Sequence, residues 1–412
     1  MKIIDLFSGA GGLTFGFYYK LIDGDFCKTN NKFVFANEYS VAAAEAFRQN
    51  FSDINMQNID ICKLTKKKIE KLTENQAIDL IIGGPPCQSF STVGQRRFDE
   101  KAKLYKQYLR ILKIVRPKMF LFENVKGLLS MREIFYETDS KGEIKYDEEP
   151  VVRNGKQIVK KKPRIKGYGD LIIDKIKKQF AKISDDCGYE ITFKVLNAVN
   201  FGVPQYRERV FIIGIRKDLN LSWDWNFGLA NATKLTIEAA ISDLPILNEG
   251  QYKTEYVSPP QNDYQRLMRK NCTSITQHFC GHYGDKIRTV IKNVKQGQGK
   301  NDFNILVDKG LIDKKYRLTS GYNNTYGRLV AKQPSTTITN NLCTPSGLRC
   351  IHYEQDRALS PREGARIQSF PDWFGFYGTR TEVTKQIGNA VPPLMAMVVA
   401  KKIKLTLGEN DD

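Results

Sequence analysis

Three short stretches carry side chains able to do chemistry on one another. GGPPCQSF (83–90) places Cys87 behind two prolines and the apolar run AIDLII, FENV (122–125) closes a second apolar run with Glu123, and QYRER (205–209) contains Arg207 and Arg209. A free thiol is only slightly ionised at neutral pH, so a nucleophilic Cys87 needs a positive or dipolar neighbour. Arg207 and Arg209 are the candidates. A carboxyl at the mouth of a hydrophobic run has its pKa raised by desolvation and can donate a proton, which is the role open to Glu123. The plainer readings are an inert core thiol and a solvated loop carboxylate. Position after a strand and two prolines favours the chemical reading of Cys87, and with Glu123 at the next strand end the two would share one pocket.

A frame is needed to bring these residues together. KIIDLF, KFVFANE, AIDLII and KMFLFENV read as strands, and VAAAEAFRQNF and LYKQYLRILKIV as helices between them. This alternation predicts an α/β fold, a doubly wound and mostly parallel sheet with its site at the C-terminal strand ends. YEITFKVLNAVNFG and RVFIIGI are separated only by VPQYRE, too short for a helical crossover, so the last strand pair should be antiparallel. Residues 138–168, which include KKKPR, read as an exposed basic insertion. From 217 to 354 the chain is rich in Asn, Thr, Tyr, Gly and Lys, which predicts a smaller domain of irregular or short-strand structure. Helical patterns return from about 355 in SPREGARIQSF and TKQIGNAVPPLMAMVVAKKI.

DLFSGAGG (5–12) is a glycine loop after the first strand, where backbone can approach a ligand. Neither GxGxxG nor GK[ST] is present. Glu38 ends the second strand, where a carboxylate can accept both ribose hydroxyls, and Asp60 sits where a third strand would end. Together they indicate a nucleoside-containing cofactor without a tight pyrophosphate grip, against the alternative of a structural turn with two surface acids.

The 412 residues carry a net charge of +19, which attracts a polyanion, most simply nucleic acid. A lysine-rich codon bias would produce the same excess. No stretch reaches the roughly 18 apolar residues of a membrane span, so no membrane partner is expected. Asp5 interrupts the only start resembling a signal peptide, and the eight cysteines form no regular framework; a cytoplasmic protein with reduced thiols is expected. Cys272, His278, Cys280, His282, Cys343, Cys350 and His352 match no common zinc spacing, and packing rather than a metal site is expected of them.

In this order and spacing, DLFSGAGG, GGPPCQSFS, FENV, QYRER and QIGNAVPP resemble the motifs of the DNA (cytosine-5) methyltransferases, over roughly 1–216 and 355–400. The resemblance implies S-adenosylmethionine as cofactor. Phe7, Gly9 and Gly12 would shape its methionine and adenine pocket, Glu38 would hold the ribose, and Asp60 the adenine amino group. Asn389 would return to complete the pocket, so that 1–216 and 355–412 form one catalytic domain. Cys87 would add to C6 of cytosine while Glu123 engages N3; Arg209 would contact the base and Arg207 the surrounding site. A stacked base cannot be attacked on its face, so the cytosine would be flipped out of double-stranded DNA. The loop from about 88 to 101 would close over the DNA, with Gln88, Ser91 and Lys101 as contacts; the family usually has arginine where Lys101 stands, which weakens one contact. Residues 217–354 would be the target-recognition domain, with Arg328 and the STTIT segment touching DNA, while WDWNF (223–227) is expected to pack. The implied enzyme is a monomeric, nucleoid-associated microbial modification methyltransferase paired with a cognate restriction endonuclease. An RNA (tRNA) cytosine-5 methyltransferase and an inactive DNA-binding regulator are the alternatives; the intact Cys87, Glu123 and Arg209 argue against the second.

Overall fold

The computed structural model describes residues 1–86, 104–153, 156–182, 188–228 and 234–409. Its strands are β1 (Lys2–Leu6), β2 (Tyr19–Ile22), β3 (Asp25–Lys28), β4 (Lys32–Asn37), β5 (Met56–Gln57), β6 (Leu80–Gly83), β7 (Met119–Val125), β8 (Arg132–Tyr136), β9 (Tyr146–Arg153), β10 (Lys156–Pro163), β11 (Ile165–Leu171), β12 (Tyr189–Asn197) and β13 (Glu208–Arg216). The helices of the first half are α1 (Gly12–Tyr18), α2 (Val41–Asn50), α3 (Lys66–Thr73), α4 (Tyr105–Val115) and α5 (Ile172–Ala181). Seven strands form one sheet in the order β12-β13-β7-β6-β1-β4-β5. It is parallel from β5 to β7 and antiparallel at β7–β13 and β13–β12. The doubly wound sheet with an antiparallel last pair is as the sequence predicts. Winding reverses between β1 and β6, the position that opens a ligand crevice in such sheets. Gly83 lets these two strands close, because a Cβ there would strike the Leu6 carbonyl oxygen.

Successive strand residues face opposite sides of a sheet, and the core divides accordingly. Ile3, Leu80, Ile82, Leu121, Phe211 and Ile213 belong to one core. Ile4, Leu6, Ile81, Phe120, Phe122, Val210 and Ile212 belong to the other. The first face is covered by α1 and by the C-terminal helices α10 (Pro361–Ile367), α11 (Arg380–Asn389) and α12 (Pro393–Thr406). Gly16 lies so close to the backbone of Ala396 and Met397 that any side chain would collide with it. The two ends of the chain therefore share one core.

Three segments differ from the sequence reading or add to it. After seven residues α1 gives way to the β2–β3 hairpin, whose turn residues Asp23 (φ 49°) and Gly24 (φ 70°) both take the left-handed conformation of a type I′ turn. The insertion is exposed as expected, but it is ordered into two antiparallel pairs, β8–β11 and β9–β10. Its basic residues partly answer its own acids: Lys161 meets Glu148 at 3.2 Å and Arg164 meets Asp147 at 2.6 Å.

The described part of 217–354 is largely irregular, as expected, with short helices in place of short strands: α6 (Ile237–Ile241), α7 (Asp263–Arg269), α8 (Asp285–Asn293) and α9 (Lys300–Asp308). Nor is 217 a break in packing. Ile237, Ala240, Ile241, Tyr264 and Met268 join the same core as α10–α12. Arg366, fully buried on α10, bonds Asp243 at 2.7 Å and Asp372 at 2.6 Å, which fixes this junction electrostatically. Farther out, Val290, Val294, Phe303, Val307 and Leu318 make a small core of their own. Trp223, Trp225 and Phe227 pack on one another, and Phe227 also against Phe201, which is the packing role expected of WDWNF. Among the described residues no helix is long and apolar enough to cross a membrane.

Candidate active site

Glu123 stands two residues before the end of β7 and is only 8% exposed. Burial raises its pKa above the ordinary carboxylate value, and the nearby charges of Arg209 and Arg207 pull it partly back. The antiparallel register pairs Phe211 with Glu123 and Arg209 with Val125, so Arg209 and Glu123 are diagonal neighbours on one face. Their Nε and Oε1 atoms are 3.2 Å apart. Gly84 explains how the carboxylate can lie against the next strand end: a Cβ there would stand 2.8 Å from Glu123 Oε2. Asn124, on the opposite face of β7, donates from Nδ2 to the Pro85 carbonyl at 3.2 Å and so holds the loop that leads to Cys87. Cys87, Gln88, Ser91 and Lys101 lie outside the described residues, which run to Pro86 on this side.

Arg207 is fully buried. Its Nη1 donates to Ile338 O at 3.0 Å, and Nη2 donates to Gly388 O and Ala390 O, each at 2.8 Å. This guanidinium ties residue 338 to 388–390 and reaches Glu123 through its charge.

The second cluster lies at the ends of β1 and β4. Gly9 (φ 57°) donates its N–H to Glu38 Oε2 at 2.9 Å, and Ser40 N–H reaches Glu38 Oε1 at 2.7 Å. Burial raises the Glu38 pKa, while these backbone donors oppose the rise. Phe7 also takes a left-handed backbone (φ 59°), which starts the loop abruptly after β1. Asn37, nearly fully buried, donates to Gln57 O at 2.8 Å and Ile59 O at 2.9 Å, while its own carbonyl accepts from Ser8 N at 3.1 Å. Three strand-end loops are thus tied together. Asp60, half-exposed, accepts from Cys62 N at 2.8 Å and caps the turn Ile61–Lys63. A Cβ on Gly12 would stand 2.5 Å from Val391 O and 3.0 Å from Ala390 Cβ. Asn389, exposed at the end of α11, is therefore adjacent to residues that press on this loop.

These residues fit a nucleoside-bearing cofactor. The place a Cβ of Gly9 would occupy is clear of other atoms to 4 Å, and a tethered carboxylate borders it.

One expected DNA contact is corrected, and a second is narrowed to the half-exposed Thr336, Thr337 and Thr339. Arg328 is buried, and its guanidinium donates to the carbonyls of Ile291, Val294, His352 and Gln355 and to Asp356, which leaves no fork for a base. In STTIT, Ser335 and Ile338 are buried, and the segment is hydrogen-bonded to the turn at 204–206. The histidine and cysteine cluster forms no metal-binding arrangement among the described residues. His278 bonds Ser360 and Pro245 O, and His352 accepts from the amides of Glu354 and Gln355. Gly84, Asn37 and Asn124 escape the sequence reading; a polar residue closing an apolar strand is the one signal that points to the two asparagines.

The chain matches the family model described as C-5 cytosine-specific DNA methylase over residues 1–141 and 154–405. The Type II methyltransferase M.AgeI of Thalassovita gelatinovora is 30% identical, with 99% of this chain and 100% of that protein covered. The Type II methyltransferase M.NgoFVII of Neisseria gonorrhoeae is 32% identical, with 99% and 88% covered. Among solved structures, a prophage-encoded E. coli protein described as a DNA modification methyltransferase shares the fold, with a TM-score of 0.69 and 23% identity over 99% of this chain and 100% of that one. The protein belongs to the C-5 cytosine-specific DNA methylases, whose methyl donor is S-adenosylmethionine.

Proposed function

We propose that this DNA cytosine-5 methyltransferase acts on one cytosine of a specific duplex sequence, swung out of the helix and held covalently by Cys87, as the modification half of a restriction-modification pair. The observation that carries the reading is the buried Glu123–Arg209 pair, one glycine away from the loop that leads to Cys87. Cytosine C5 alone is a poor nucleophile. Bond formation between the Cys87 thiolate and C6, with a proton given by Glu123 to N3, makes C5 enamine-like. Bound S-adenosylmethionine supplies an electrophilic methyl group. After C5 is methylated its proton leaves to water, and the electron pair of that C–H bond restores the ring double bond as Cys87 departs with the C6–S electrons and N3 returns its proton to Glu123. Arg209 orients Glu123 and touches the base, while Arg207 fixes the surrounding backbone. Glu38 and Asp60 hold the ribose and adenine, with Phe7, Gly9, Gly12 and Asn389 around them. The +19 charge supplies phosphate contacts. Recognition falls to residues 217–354, whose outer part carries its own small core. Pairing with a restriction nuclease is supported by the Type II designation of the relatives.

Transfer of labelled methyl from S-adenosylmethionine to duplex DNA and to tRNA tests the substrate, and labelling of tRNA alone would overturn it. Cys87→Ala should abolish methylation while DNA and cofactor binding persist. Wild-type turnover in that variant would remove Cys87 from the reaction.

A further inference from the structure

Gln205 is fully buried, four residues before Arg209, and its amide joins three separate segments. Its Oε1 accepts from Ile338 N–H at 2.8 Å, and its Nε2 donates to Gln368 Oε1 at 2.9 Å. Gln368, also fully buried, passes the connection on to Ile387 O at 2.7 Å. Arg207 makes a parallel set of contacts. It takes the other backbone group of Ile338, the carbonyl at 3.0 Å, and reaches Gly388 O and Ala390 O. Ile338 is therefore gripped at both its N–H and its C=O by side chains two residues apart. Ile387, Gly388 and Ala390, which flank Asn389, are held by the same two side chains, one through Gln368. The adjoining backbone is fastened too: Ser335 N–H bonds Pro204 O at 2.9 Å, and Tyr206 N–H bonds Ser335 O at 2.8 Å.

We propose that Gln205 is a positioning residue that couples the target-recognition region to the Glu123–Arg209 pair, so that sequence discrimination and the rate of methyl transfer are set together. The proposal rests on the reading of residues 217–354 as that region. An apolar side chain of similar volume would satisfy packing here, but it would leave the Ile338 N–H and one side of the Gln368 amide without partners. A buried amide group that loses its partner moves or recruits water. Either response shifts Ile338 relative to 387–390, and Arg207, which is bonded to both, must follow. Two residues further on, Arg209 then meets Glu123 in altered geometry.

The test uses the full chain, a duplex library and bisulfite sequencing, with the wild-type site defined first. Gln205→Met preserves length and removes both hydrogen-bonding groups. It should lower kcat and the preference for the preferred site over single-mismatch sites by about tenfold each. Gln205→Glu keeps the acceptor for Ile338 but turns an oxygen toward Gln368 Oε1, so both quantities should recover as lower pH protonates it and restores a donor. If Gln205→Met does not fold, the pH recovery of Gln205→Glu reads the same coupling. A folded Gln205→Met with a lower Tm but undiminished preference and kcat reduces Gln205 to packing and overturns the proposal, as does a pH-independent preference in Gln205→Glu. A wild-type enzyme that methylates duplex DNA without sequence preference would instead overturn the recognition reading, and this proposal with it.

Discussion

The balance at Glu123 is between burial, which favours the neutral acid, and the two arginines, which favour the carboxylate. Burial prevails, so the proton that the proposed reaction needs at cytosine N3 is retained to higher pH than on an exposed glutamate. As pH rises through the elevated pKa, the proton is lost and the Arg209 pair becomes fully ionic, so single-turnover methyl transfer should decline. Glu123→Gln keeps the shape and an N–H donor but has no proton to give. Its rate should fall by about 10²- to 10⁴-fold with cofactor binding intact, and the Glu123-dependent decline should vanish; an unchanged rate would return Glu123 to a structural role. Glu123 and Arg209 could be picked out of the sequence because an acid closing an apolar run and a cation-rich turn are uncommon in their surroundings. Arg328 could not be judged that way. A guanidinium serves a base edge or a set of carbonyls with the same five donors, and only its burial distinguishes the two.

At the scale of elements, α1 and α12 show how the glycine loop is held. Gly16 faces the backbone of Ala396 and Met397, so Gly16→Ala must push the helices apart. Overpacking of this kind costs about 1–3 kcal/mol, and because α1 begins at Gly12 the displacement carries the loop with it. A lower Tm together with weaker S-adenosylmethionine binding by calorimetry is the expected result; a lower Tm with unchanged affinity would mean the loop is held independently of α1. The central sheet strands β1, β6, β7 and β13 were readable because each buries most of both faces in an apolar run. The helices of 237–308 were not, since they are five to nine residues long and lie in polar, turn-rich sequence. Their caps, Thr236 and Asn262, are the sort of residue that equally marks a loop. The β2–β3 hairpin left a usable trace in its Asp-Gly turn.

Across the whole molecule, the meeting of the chain's ends came from the resemblance of QIGNAVPP to a family motif; no periodicity in the sequence requires it. That meeting encloses titratable groups with opposite effects on stability. Asp5, at 0% exposure beneath α1, is pushed up to about 8 by burial, opposed by the Thr14 hydroxyl and reinforced by Glu38. Glu363 and Asp372 are also buried, but Arg357 and Arg366 outweigh the burial and hold both below the ordinary range. The signs follow from proton linkage. A raised carboxyl stabilises the fold fully below its unfolded pKa, and that contribution is lost as pH rises through its folded value. The depressed pair contributes above the unfolded value and loses its contribution as pH falls through the folded one. Stability should therefore peak on the acidic side of neutrality. Between about pH 5 and 8, Asp5 alone should lower unfolding free energy by up to about 1.4 kcal/mol per pH unit. Asp5→Asn remains neutral and can still accept the Thr14 hydrogen bond, so its denaturant-derived stability should be flatter over that range and exceed wild type most at pH 8. Parallel profiles for the two proteins would mean that Asp5 titrates alike in the folded and unfolded chain, and the alkaline loss would then belong to Glu38 and Glu123, whose pKa values burial also raises.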